Sequence, residues 1–329
     1  MTQPRFLTAL LAAAGASLML CATAQAEEVK LRFSTAGPAA DFLAKSMDGF
    51  AKAVADAQVG VTVEVYPNSS LVRQGAEVQA LQRGNLEMST MNTFEVSGQV
   101  PRFGFLNRAF LFADYDAMMK AMTGPVGAAL KKATAEEMGI EILSIAYLGS
   151  RELNLREART VTKPEDLAGI RMRMPASPEW LLLGQSLGVS PTPMAMSEIY
   201  VALQTGSVDG QENPLTITKA AKFNEVTKQV IITNHLVQPV FYAIAKPVWD
   251  KMDAKQKDVV GKAALAAAEE NNRNRVADEK KVADALKAEG LQVDVIDLAP
   301  FRAKADAVYA ASDLAKAWDQ ALMKQAMGQ

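Results

Sequence analysis

The sequence predicts an α/β fold in two domains, with parallel sheet covered by helices. Stretches of apolar–polar alternation and stretches of helical periodicity take turns from Val29 to Met91, a β-α-β-α-β rhythm that calls for parallel pairing. The chain has 329 residues, more than one hydrophobic core ordinarily serves. A single helical pattern runs from Asp253 to Glu289. At 1.5 Å per residue it spans roughly 50 Å, the length of two small domains side by side.

The N-terminus reads as a targeting segment. Arg5, the apolar run Phe6 to Leu20 and the A-x-A site Ala24-Gln25-Ala26 compose a secretory signal peptide over residues 1–26. Cys21, the only cysteine, falls inside it. The mature chain is therefore expected to have no disulfide, thiol nucleophile or cysteine metal site. Lipid anchoring through Cys21 is the other possibility, although Leu20 stands where lipoprotein signals usually have a small residue. No later segment holds eighteen uncharged apolar residues, so nothing else is expected to span a membrane. The net charge is −2 with no basic stripe, which argues against nucleic acid as a partner.

Val29 to Ser34 alternates as a strand and stops at Gly37-Pro38. Asp41 to Ala57 has helical spacing through Phe42, Leu43, Met47, Phe50 and Val54. Val61 to Tyr66 alternates again, Gln74 to Gln82 reads as a helix, and Leu86 to Met91 as a third strand. Ligands of such sheets bind beyond the carboxyl ends of the strands, here Ser34 to Gly37, Tyr66 to Ser69 and Asn92 to Phe94. Helices around Gly124-Pro125 follow, then a strand from Ile140 to Tyr147 and a crossing into the second domain. That domain opens with the turn Lys163 to Leu167. The strand Ile170 to Pro175 comes next, with Ile170, Met172 and Met174 on one face and Arg171 and Arg173 on the other. Ser177 to Leu187 is a helix with Pro178 in its first turn and Gly188 past its end. Ser197 is placed to cap a helix through Leu203. Asp209 to Pro214 forms a polar cluster at the end of a short strand. Phe223 to Ala245 is strand-like and returns to the first domain. Leu291 to Leu298 reads as a strand and Phe301 to Met327 as one C-terminal helix. Domain I is expected to comprise residues 27–149 with about 239–275, and domain II residues 150–238 with about 276–329.

The inventory for catalysis is poor. There is no G-x-S-x-G, H-E-x-x-H, G-x-x-x-x-G-K or G-x-G-x-x-G. One histidine, His235, and no mature cysteine leave little for a zinc site. No cofactor, metal or catalytic residue is assigned. Arginine offers a planar fork that grips a carboxylate with two bonds. Arg151, Arg173 and Asn213 each end or follow a strand in the same half of the chain, and their fixed donors suit an anion. Asn92 and Thr93 would close over it from the first domain, and Trp180 lies near the end of the arginine strand.

Four segments in order resemble one family: Tyr66-Pro67-Asn68-Ser69-Ser70-Leu71; Gly149-Ser150-Arg151; Pro164-Glu165-Asp166-Leu167 leading to Arg171-Met172-Arg173-Met174-Pro175; and Ala202-Leu203-Gln204-Thr205-Gly206 leading to Asp209-Gly210-Gln211-Glu212-Asn213-Pro214. Together they resemble the solute-binding proteins of tripartite ATP-independent periplasmic (TRAP) transporters. The resemblance implies a two-domain, type II-like periplasmic binding fold with a long domain-spanning helix and a cleft between the domains. It implies a protein that captures an organic acid such as a dicarboxylate by domain closure and hands it to TRAP permease subunits; a monomer is expected, although the C-terminal helix can pack on its own domain or on a partner. It makes Arg173 the principal carboxylate clamp, Arg151 the second arginine, and Asn213 the completing amide with Glu212 beside it. Asn92 falls where first-domain side chains set selectivity, and His235 falls near rather than in the cleft. Ala36-Gly37-Pro38 departs from the pattern by carrying no bulky polar side chain. Two rivals stand beside this expectation: a binding protein that presents its ligand to a sensor, and an organic-acid enzyme using His235 as base.

Overall fold

The computed structural model describes residues 28–329; the signal peptide expected over residues 1–26, with Cys21, lies outside them. Strand β1 (Val29–Ser34) pairs in parallel with β2 (Val61–Tyr66) on one side and β3 (Met88–Asn92) on the other, as the rhythm predicts. The helix Phe42–Asp56 connects β1 to β2, and Asp41 caps it by accepting from the Leu43 N–H at 3.0 Å. Its buried residues Leu43, Met47, Phe50 and Val54 form one apolar stripe. Phe33 and Phe50 meet Tyr242 edge to face in the core beneath.

The next connection departs from expectation. Its helix is Glu77–Gln82 and does not include Gln74. Gly75 has φ +89°, a left-handed conformation that glycine enters without penalty and a helix cannot continue through. Gln74 is thereby left in a turn, and its side chain crosses to the other half of the molecule.

The remaining strands are β4 (Ile140–Leu155), β5 (Arg171–Met174), β6 (Ser190–Pro193), β7 (Gly210–Pro214), β8 (Gln229–Ala245) and β9 (Gln292–Val295). All belong to one sheet of order β2-β1-β3-β8-β4-β7-β5-β6, with β9 along the start of β8. Pairing is parallel at both ends, β2-β1-β3 and β7-β5-β6. In the middle β4 and β8 are antiparallel to each other, and β3 and β7 are antiparallel to them. The predicted break after Tyr147 is not there: β4 continues for 16 residues. Its first part lies beside β8 near β3, and its second part carries β7. Between them the register shifts at Tyr147/Gly149 and again at Arg151/Leu153. Gly149 has φ +129°, and a Cβ there would meet Pro214 Cβ at 2.5 Å. Only glycine lets the two strands pass this closely.

The long helix is Ala254–Ala288, opened by a capping box between Asp253 and Gln256. Two expectations at helix ends are corrected. Ser197 does not cap a helix: Met196–Glu198 is a 3₁₀ turn leading into Ile199–Thr205, which has no side-chain cap. The single C-terminal helix is three, Ala299–Ala311, Asp313–Lys316 and Gln320–Ala326. Ser312 and Asp319 accept from backbone N–H groups ahead of them and start new helices instead of continuing the old one. These helices touch both halves. Ala299–Ala311 packs on Pro178–Leu187, the Tyr309 hydroxyl accepts from the Ala109 N–H at 2.9 Å, and Gln320–Ala326 rests on Tyr115–Thr123. Among the described residues no helix is long and apolar enough to cross a membrane.

Candidate functional site

A cleft lies where the strands of the two halves end toward each other. Thr35, Ala36 and Gly37 after β1, and Thr90, Asn92 and Phe94 from β3 and beyond, line one side; Arg173, Pro175, Met196 and Asn213 line the other, with Leu148 and Arg151 from β4 between.

The two arginines predicted to share a face of β5 behave differently. Arg171 is exposed and bonds Asp209 through two nitrogens, at 2.9 and 2.7 Å, so its anion is already supplied. Arg173 is 1% exposed. Its Nε donates to the Met194 carbonyl and its Nη2 to Gln74 Oε1, both at 2.8 Å. A guanidinium has five N–H donors, and both acceptors seen here are neutral. No carboxylate pairs with Arg173 among the described residues. Burial pushes its pKa down to about 9; attraction from Glu212 and repulsion from Arg151 follow. It is charged at neutral pH, buried and without a counter-ion, a condition that costs several kcal/mol unless an anion arrives.

Arg151 is also buried, but its charge is already met by Glu212. Its Nε meets Glu212 Oε2 at 2.5 Å and its Nη2 meets Oε1 at 2.8 Å. Nη2 also donates to Asn213 Oδ1 at 3.0 Å and Nη1 to Gln238 Oε1 at 2.8 Å. The Trp180 ring stacks 4.6 Å from its guanidinium carbon.

Glu212 therefore sits behind Arg151, wholly buried and outside the cleft lining. Burial pushes its carboxyl up, but Arg151 and His235 more than offset this and hold it below the usual carboxylate range. Asn213 lines the cleft, and Glu212 lies behind the Arg151 guanidinium that both side chains bond. Trp180 does not line the cleft either; it backs Arg151 and meets Phe94 edge to face. Thr93 is buried with its hydroxyl bonded to Asn107 Oδ1 at 2.6 Å, away from the lining. Of the predicted residues, Arg173, Arg151, Asn213 and Asn92 come together at the cleft. Glu212, Trp180 and Thr93 stand behind it.

His235 is buried between Thr233 Oγ1 at 2.8 Å on Nδ1 and Glu212 Oε2 at 3.1 Å on Nε2. Burial lowers its pKa, partly offset by Glu212, so the ring is neutral. A carboxylate only accepts, which assigns the proton to Nε2 and leaves Nδ1 to accept from the threonine. Both ring nitrogens are occupied, and neither faces the cleft.

A buried carboxyl pair supports the first-half side of the cleft. Glu95 Oε2 accepts from the Asn92 N–H at 2.8 Å and from its side-chain amide at 3.3 Å. Glu77, beside Glu95, accepts from the Gly75 N–H at 2.6 Å. Asn92 and the Gln74-Gly75 turn are thus both held by this pair. Burial and then the Glu95 charge push Glu77 up to about 9, and burial pushes Glu95 up as well. A raised carboxyl pKa stabilises the fold below the unfolded value and loses that contribution as pH rises through the folded one. Glu77→Gln, which keeps the shape without the titration, is expected to gain stability relative to wild type between pH 5 and about 9. Urea midpoints at steps across that range check this; parallel curves would show that no proton is held there.

Sequence reasoning missed Gln74 and Thr90, and reached Thr35 only within the strand end Ser34 to Gly37. Gln74 was hidden by helical periodicity, and Gly75 directly after it was the available signal. Thr35 and Thr90 bond each other at 2.6 Å across β1 and β3, a pairing that only the sheet order reveals.

Two α/β halves that share a sheet and enclose a cleft at their strand ends define the class of two-domain solute-binding proteins. Residues 33–315 match the model of the bacterial extracellular solute-binding proteins, family 7 (DctP), and the chain belongs to that family. It is 32% identical over 289 residues to the C4-dicarboxylate-binding periplasmic protein DctP of Rhodobacter capsulatus, covering 87% of this chain and 86% of that protein. It is 29% identical over 249 residues to a sialic acid-binding periplasmic protein of Vibrio cholerae, covering 76% and 77%. A solved TRAP periplasmic solute-binding protein from Roseobacter denitrificans with bound 3-deoxy-D-manno-oct-2-ulosonic acid superposes with TM-score 0.88 at 37% identity, covering 92% of this chain and 99% of that one. Members of the family bind solutes for transport, and they are periplasmic.

Proposed function

We propose that this chain captures a small organic acid with one carboxylate and a hydroxylated, uncharged remainder, and delivers it to the membrane subunits of a TRAP transporter. The observation that carries this is Arg173: buried, charged and without a counter-ion at the wall of the cleft. Arg151 is already neutralised by Glu212, so the cleft offers one uncompensated positive charge, matching a monoanion and not a dianion. The opposite side presents neutral Thr35, Thr90 and Asn92, suited to hydroxyls. Sialic acid and 3-deoxy-D-manno-oct-2-ulosonic acid, in the names of two relatives, are acids of this type; a C4-dicarboxylate is not.

Arg173 takes the carboxylate on the donors that Met194 and Gln74 leave free. Asn213 adds its remaining amide N–H, Arg151 shapes the wall, and Asn92 reads the far end. Closure brings residues 27–149 with about 239–275 against residues 150–238 with about 276–329. The chain works in the periplasm, released from its signal peptide, and turns nothing over.

Thermal unfolding against 3-deoxy-D-manno-oct-2-ulosonate, sialic acid, an aldonate and succinate tests the reading. A ligand at a hundred times its dissociation constant stabilises by about 2.7 kcal/mol. The sugar acids are expected to raise the midpoint and succinate to leave it in place. A shift with succinate alone would overturn the monoanion assignment.

A further inference from the structure

The long helix buries one stripe along its length, apolar at Val260, Ala264 and Ala268 and again at Val282 and Leu286, but polar in its middle. Asn271, Asn272 and Arg275 are buried there. Asn271, Arg275 and Glu279 are spaced by four and share one face. That face is bonded to the bend of β4. Asn272 Oδ1 accepts from the Tyr147 N–H at 2.7 Å, and the Asn271 amide donates to the Tyr147 carbonyl at 2.8 Å. Glu279 accepts from the Ser150 N–H at 2.9 Å and from the Tyr147 hydroxyl at 3.0 Å. These bonds bracket Gly149, where β4 passes from one half to the other.

Arg275 reaches from this face to both halves. It is 0% exposed. Its Nη2 donates to Asp41 Oδ1 and its Nη1 to Thr216 Oγ1, each at 2.5 Å. Asp41 caps the helix after β1, and Leu43 of that helix lines the cleft. Thr216 lies in the first turn of the helix Leu215–Ala220 after β7, and Ile217 next to it also lines the cleft. The pairing leaves Arg275 Nε and Asp41 Oδ2 buried without partners. An ion pair serving stability alone would use the Nε edge for a two-bond grip on Asp41. This guanidinium instead spends one nitrogen on each half.

We propose that Arg275 is the positioning residue that locks the cleft shut, joining Asp41 of one half to Thr216 of the other while its helix face holds the bend between them. This rests on the reading that the halves close on a ligand. Opening parts Thr216 from Arg275, and the Asp41 pair remains. The lock therefore favours the closed form without touching the ligand.

Thr216→Val removes the hydroxyl and keeps the shape; Thr216→Ser restores the hydroxyl. A bond to a charged donor of this kind is worth about a tenfold change in an equilibrium. Small-angle scattering gives the radius of gyration, alone and titrated with 3-deoxy-D-manno-oct-2-ulosonate and sialic acid. The valine variant is expected to be less compact than wild type without ligand, or to need about tenfold more acid to reach the same compact form. The serine variant is expected to behave as wild type. Equal radii and equal titrations for valine and wild type overturn the lock. If neither acid compacts wild type, the ligand reading fails, and the ligand-free radii of the two chains still decide the lock: a larger radius for valine supports it, equal radii overturn it.

Discussion

Arg173→Ala is expected to weaken capture of the acid by roughly thirty- to several-thousand-fold. Removing one side of a desolvated charge pair costs about 2–5 kcal/mol, and each 1.4 kcal/mol is about tenfold. The ligand-free protein should respond in the opposite sense. Arg173 is a buried cation without a counter-ion, so its removal relieves a cost that the empty cleft carries. The variant is expected to unfold at the same temperature as wild type or above it, while titration calorimetry with the acid shows the loss. This separates a binding residue from a structural one. Arg173→Lys should recover only part of the affinity. An ammonium cannot serve the Met194 carbonyl, Gln74 and two carboxylate oxygens in one plane. Wild-type affinity in a folded Arg173→Ala chain would remove Arg173 from the clamp.

What was legible in the sequence was whatever local pattern decides. Alternation placed β1, β2 and β5, and Asp41, Ser177 and Asp253 mark the helix starts that their side chains cap. The antiparallel centre of the sheet was not legible, because a buried strand looks the same whichever way its neighbour runs. The continuity of β4 was hidden by Gly149, which reads as a stop but serves as a close-packed bend. The site divided along the same line. Arg173, Asn213 and Asn92 sit at or next to strand ends, and strand ends can be counted; Arg151, expected after a strand end, lies inside the continuous β4. Glu212 was expected on the cleft wall beside Asn213, but it lies outside the lining, behind the Arg151 guanidinium that both side chains bond. Gln74, Asp41 and Arg275 act across the fold with partners 99 and 234 residues away. No local signal marks such pairs.

Glu212 is where stability and selectivity meet, and Glu212→Ala is expected to lower the unfolding free energy by about 3–5 kcal/mol, the usual cost of orphaning one member of a buried ion pair. The carboxylate holds Arg151 by two side-chain bonds and receives His235 on the same oxygen. Its loss strands a guanidinium that is 3% exposed. Urea unfolding followed through tryptophan fluorescence checks this, since Trp180 stacks on that guanidinium. Glu212→Gln divides the two roles. It keeps an oxygen acceptor for Arg151 but removes the charge, so it should destabilise less than alanine. The cleft would then carry two uncompensated guanidiniums in place of one. Affinity for succinate is expected to rise relative to the sugar acids in the glutamine variant. An unchanged ratio would mean that the cleft does not select ligands by counting charge, and that the neutral side chains facing Arg173 set the preference instead.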